Sequence, residues 1–105
     1  YHGSQEQVVG SNTIADSLDG AIDDTSITIP IIKECVDAIQ LITEDDMMEA
    51  IAIAWHDYGQ KLEASGAVSM AAALQNLESK CPTIAIISGG NIQADLFNTI
   101  INNYA

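Results

Sequence analysis

The sequence predicts an α/β fold of three layers, a mostly parallel sheet with helices on both faces. Three observations carry that expectation. Short apolar runs at Ala38-Ile39-Gln40-Leu41-Ile42 and Thr83-Ile84-Ala85-Ile86-Ile87 read as strands, and Lys61-Leu62-Glu63 reads as a brief one. They alternate with segments of helical spacing, and such alternation gives a parallel sheet with right-handed crossovers. The last run is apolar throughout, as in a central strand covered on both faces.

Taken in order, residues 1–12 are polar and glycine-punctuated, a loop with a partial strand at Val8-Val9; residues 13–105 form the remaining body. Thr13 to Asp24 mixes apolar residues with Asp and Gly. Pro30 suits a first helical turn, where its missing N–H loses no bond. That helix runs to about Val36 and is expected to bury Ile31, Ile32 and Cys35. After the run at 38–42, Thr43 is an N-cap, with Glu44, Asp45 and Asp46 at the positive helix end. Met47, Ile51, Ala54, Trp55 and Tyr58 follow at helical spacing, and Gly59 ends the helix. Gly66 to Leu77 is apolar all round, which predicts a buried helix. Pro82 marks a turn before the run at 83–87. Ser88-Gly89-Gly90-Asn91 breaks that run, and Ile92 to Tyr104 closes the chain as an amphipathic helix with Leu96, Phe97, Ile100 and Ile101 inward.

The formal net charge is −12 over 105 residues. A surface this acidic repels phosphate backbones and anionic lipids, so neither nucleic acid nor a membrane is an expected partner. No apolar run approaches the roughly 20 residues that span a bilayer. The first residue is not Met and Tyr1-His2-Gly3-Ser4 lacks signal character, so a processed, engineered or truncated start is expected. Cys35 and Cys81 show no metal-ligand spacing and read as small buried thiols in a reducing, cytoplasmic compartment. His2 and His56 lack triad partners, His56 reads as a surface residue, and the Met47-Met48 pair reads as core filler.

In open parallel sheets, ligands bind beyond the carboxyl ends of the strands. Two such ends carry polar groups: Glu63-Ala64-Ser65-Gly66-Ala67 and Ser88-Gly89-Gly90-Asn91. Alone, a Gly-Gly turn is ordinary turn geometry and a strand-end Glu is ordinarily solvated. In sequence order they say more. Thr13-Ile14-Ala15-Asp16 resembles the "TIADG" segment of the serine/threonine dehydratases and serine racemases. Val36 to Asp46 resembles their "VDDIxxVTEDEI", residues 63–67 their "EPSGA", and Ile86 to Asn91 their "VLSGGN". The chain is therefore similar to the C-terminal part of the catalytic domain of the fold-type II, tryptophan-synthase-β-like enzymes, which use pyridoxal 5′-phosphate.

The resemblance implies a partial cofactor-binding large domain. It implies that Ser88 hydrogen-bonds the pyridine nitrogen, that Gly89 and Gly90 let the backbone approach the ring, that Asn91 fixes the turn, and that Glu63 lies near the ring. Ser17 stands where the family has the Gly of "TIADG", beside the cofactor, and Ala64 stands for the Pro of "EPSGA". The implied reaction is β-elimination from a small hydroxy amino acid, giving a 2-oxo acid and ammonia. The Schiff-base lysine and the phosphate-cradling glycine loop belong to upstream family segments. Lys33, Lys61 and Lys80 lack the lysine's context, so no catalytic residue is assigned here, the chain alone is expected to be inactive, and its partner is the missing N-terminal half or a second copy. The family's metal ligands also lie upstream, so no metal residue is assigned. Two alternatives stand beside this. One is a non-catalytic interaction module docking through an exposed sheet edge. The other is an acidic cation module of Asp16, Asp19, Asp23 and Asp24, whose spacing departs from an EF-hand because Leu18 occupies a ligand position.

Overall fold

A computed structural model describes residues 9–78 and 81–104. Its elements are a 3-10 turn at Asp16–Leu18 and four helices: α1 (Thr28–Cys35), α2 (Glu44–Tyr58), α3 (Ala64–Gln75) and α4 (Ala94–Asn103). No strand occurs among the described residues, so the expected parallel sheet of a three-layer α/β fold is corrected to a helical arrangement. The expected sheet edge for docking falls with it. The Val8-Val9 strand reaches outside the described residues, and Val9 itself carries no strand.

The physical reason lies in where backbone hydrogen bonds go. A helix satisfies its own N–H and C=O groups, whereas a strand needs a neighbour at about 4.8 Å. The runs at 38–42 and 83–87 both lie along α3 but have a gap between them. Gln40 donates to Gln75 at 2.6 Å and accepts from Asn76 at 3.1 Å, while the Ser69 hydroxyl donates to the Ile86 carbonyl. An open cleft of about 490 Å³, floored by Ser69, Ala72 and Ala73, separates Gln40 from residues 83–86. With no ladder and no covering layer, Ile39 (78% exposed), Leu41 (90%), Ile84 (91%) and Ile86 (80%) face outward.

The core instead gathers around α2. Thr43 caps it in a reciprocal capping box: its hydroxyl accepts from the Asp46 N–H, and the Asp46 carboxylate accepts from the Thr43 N–H. Gly59 ends the helix in the left-handed region, at φ 64°. Met47, Ala50, Ile51, Ala52 and Ala54 are buried, against Ala64, Ala67 and Ala71 of α3 and Phe97 and Ile100 of α4. The small side chains let α2 and α3 approach closely. Trp55 meets Phe97 edge to face, with ring centres 5.4 Å apart and planes at 83°. His56 Nε2 lies 2.9 Å from the Ile101 carbonyl, and the Tyr104 hydroxyl donates to Asp45 at 3.1 Å. These contacts seat α4 on α2.

Several local expectations change. Helix α1 carries no buried residue: Ile31, Ile32 and Cys35 are exposed, because no other helix among the described residues packs on it. Cys81 is likewise exposed rather than buried. Tyr58 is exposed at the end of α2, whereas Met47 is buried and Met48 packs at the core margin. Helix α3 starts at Ala64, two residues before the expected Gly66, and its remaining faces are only half-buried. Among the described residues no helix is long and apolar enough to cross a membrane.

Candidate functional site

The two polar turns singled out in the sequence are brought together without a sheet. Glu63 immediately precedes α3 and lies against the Ser88–Asn91 turn. Its N–H donates to the Gly89 carbonyl at 3.3 Å, and its Oε2 accepts from the Asn91 N–H at 3.1 Å. Two bonds running in opposite directions close a ring between the start of α3 and the turn.

The glycines are fitted to this approach. Gly89 sits at φ 78°, where side chains are rarely tolerated. A β-carbon there would lie 2.6 Å from the Glu63 carboxyl carbon. At Gly66, in the first turn of α3, a β-carbon would overlap the Ser88 carbonyl oxygen and lie 2.7 Å from its carbon. At Gly90 it would lie 2.8 Å from the Lys61 carbonyl oxygen. The Ser88–Asn91 backbone is thus gripped from 61, 63 and 66, while Ser88 itself remains exposed. One residue away, the Ser65 hydroxyl is buried with no hydrogen-bond partner.

The third expected segment is held by a carboxylate of its own. Glu44, read from sequence only as a helix-end charge, accepts from the Thr13 hydroxyl at 2.6 Å and from the Ile14 N–H at 2.9 Å. The Thr13 hydroxyl in turn accepts from the Ala15 N–H at 3.1 Å. Ala15 is buried, and the 3-10 turn bearing Ser17 packs on α3. Ser17 itself is exposed beside Asp16, and no direct bond joins it to Glu63 or to the 88–91 turn. Sequence reasoning gave Glu44 no site role and read Gly66 only as one of the small residues of the 63–67 turn. The signal for Glu44 was present: it lies within the "VTEDEI"-like segment, downstream of a Thr able to donate.

Of the lysines, Lys33 is on exposed α1, and the Lys61 ammonium sits 5.2 Å over the Phe97 ring, toward α4. Lys80 lies outside the described residues, as does His2. Among the described residues no group of three His, Cys, Asp or Glu could hold a metal ion. In the acidic stretch, the Asp23 carboxylate accepts from the Thr25 hydroxyl at 2.6 Å and from its N–H at 2.8 Å. The Thr25 hydroxyl, and then its N–H, hold the Asp23 carboxyl below the ordinary 3.8.

The structure thus presents a glycine-rich turn held against a helix start, with an exposed hydroxyl at its head. The chain matches the family of pyridoxal-phosphate dependent enzymes over residues 1–89, and it belongs to that family. It is 34% identical over 101 residues to the L-threonine ammonia-lyase of Thermotoga maritima, covering 95% of this chain and 25% of that protein. It is 37% identical over 95 residues to the serine racemase of Dictyostelium discoideum, covering 87% of this chain and 29% of that protein. The serine racemase of Arabidopsis thaliana is 33% identical over 89 residues, covering 78% of this chain and 26% of that protein. The chain therefore spans between a quarter and a third of the length of these relatives. No solved structure matches it. The family's cofactor is pyridoxal phosphate. One observation fits its ring end: the buried Ser65 hydroxyl beside the turn has unmet hydrogen-bonding capacity, whereas the room left at Gly66, Gly89 and Gly90 is taken by Ser88, Glu63 and Lys61 of this chain.

Proposed function

We propose that this chain is the ring-binding part of a pyridoxal-phosphate dependent ammonia-lyase that eliminates water from serine or threonine, yielding a 2-oxo acid and ammonia. The observation that carries the reading is the exposed Ser88, at the head of a turn whose backbone is fixed by Glu63 and Gly66. The cofactor supplies the electron sink that makes the substrate α-proton removable. Ser88 offers the pyridine nitrogen a neutral hydroxyl, which can donate or accept a hydrogen bond. Such a partner leaves the ring less electron-withdrawing than a carboxylate would, which suits β-elimination. Gly89 and Gly90 let the turn close on Glu63 and Lys61 beneath Ser88, and Asn91 anchors the turn through its N–H. The Schiff-base lysine, the phosphate cradle and the contacts to the substrate carboxylate come from polypeptide outside this chain.

Two measurements test this. The chain alone, treated with pyridoxal phosphate and borohydride, gives no stoichiometric adduct at Lys33, Lys61 or Lys80 by peptide mapping; such an adduct would overturn the reading. In the polypeptide that joins this chain to a lysine-bearing half, Ser88→Ala lowers kcat for 2-oxo acid formation about tenfold to a hundredfold, as loss of a bond to a charged or polar ring group does. Wild-type kcat in Ser88→Ala would refute the ring contact. The similarity to serine racemases favours a second reading, inversion of serine. D-Serine formed from L-serine faster than the 2-oxo acid would establish it.

A further inference from the structure

We propose that Glu63 is a positioning residue, whose carboxylate fastens the Gly89–Asn91 backbone to the start of α3 and thereby aims Ser88, rather than a group that meets the cofactor ring. The consequence for Ser88 rests on the function proposed above; the clamp does not.

The geometry directs both ends of Glu63 at backbone. Its N–H reaches the Gly89 carbonyl at 3.3 Å, and Oε2 receives the Asn91 N–H at 3.1 Å. Between these bonds the carboxyl group occupies the space that a side chain at position 89 would take. The turn needs such a tether. It is exposed along its length, lacks a strand before it, and Gly89 and Gly90 give it two of the least restricted backbones in the chain. Gly66 supports it from the other side, through the seat it provides for the Ser88 carbonyl. A hydrogen bond from a backbone N–H to a carboxylate is among the stronger ones, so one side chain suffices to restrain a pair of glycines. The chemistry agrees with the division of labour. A carboxylate on the ring nitrogen would keep it protonated and defeat the use of a neutral serine there.

The test is amide hydrogen exchange by NMR on the 105-residue chain without cofactor. Glu63→Ala is expected to speed exchange at Asn91 by about tenfold or more, while Ile51 and Ala52 in α2 stay protected. Glu63→Gln keeps an acceptor oxygen at the same reach but loses the charge, and is expected to fall between wild type and Glu63→Ala. The proposal is overturned if Asn91 ignores Glu63→Ala, if Glu63→Gln behaves like Glu63→Ala, or if Glu63→Ala loosens the α2 and α3 amides together. Ser88→Ala should leave Asn91 exchange unchanged, so loss of the ring contact and loss of the clamp are read separately.

Discussion

The helical core around α2 and the run at 83–87 carry the same kinds of side chain, yet Ile51 is fully buried and Ile84 lies 91% exposed. The difference is not hydrophobicity. Residues 44–58 form their own hydrogen-bonded scaffold, which presents Met47, Ala50, Ile51 and Ala54 as one surface to α3 and α4. Residues 83–87 can present a surface only when another segment supplies a ladder, and Gln40 and its neighbours stand across a cleft from them. Self-sufficient local structure makes a core from few neighbours; strand-forming sequence depends on distant ones.

Four measurements would break or sharpen that contrast. Ile51→Ala should cost about 2–5 kcal/mol in urea unfolding, the usual range for truncating a buried isoleucine. A cost near zero would mean that the α2 core is not the stabilising unit. Gly66→Ala should cost about 1–3 kcal/mol through overpacking against the Ser88 carbonyl, with chemical-shift changes concentrated at 88–91. Shifts confined to α2 would place the strain elsewhere.

A smaller effect concerns acid. The Thr43 hydroxyl, and then its N–H, hold the Asp46 carboxyl below its ordinary 3.8. Between the lowered value and 3.8 the unfolded chain binds more protons than the folded one, so stability rises with pH there. The contribution is complete above 3.8 and is lost as pH falls through the lowered value. Thr43→Ala should flatten this part of the urea-midpoint profile; an unchanged slope would remove the capping box from the account. The smallest effect belongs to Ile84→Gln, expected within about 0.5 kcal/mol of wild type, as for an exposed position. A loss matching that of Ile51→Ala would show the run at 83–87 to be buried in solution.

Much of the helical structure was legible from the chain. Thr43 with Asp46 marked the start of α2 and Gly59 its end, because caps are local chemistry written within a few residues. The spacing of Phe97 and Ile100 likewise gave the inward face of α4. The sheet was misread because Thr83 to Ile87 has strand composition, and composition does not reveal whether a partner lies alongside. At the candidate site, the residue types at 63 and 88–91 were readable as motifs. What could not be read was the grip between them: that Gly66 is shaped to the Ser88 carbonyl depends on where α3 ends up in space. Glu44 shows the same limit, since its partners Thr13 and Ile14 lie about thirty positions earlier.

The edge-to-face pair of Trp55 and Phe97 has a practical corollary. The chain contains one tryptophan, so emission under tryptophan-selective excitation reports on a single, partly exposed indole of α2 whose edge-to-face partner stands on α4. Parting of those two helices strips the phenyl ring from the fluorophore and changes its colour and yield. One optical signal therefore reports directly on the α2–α4 seam of the helical body.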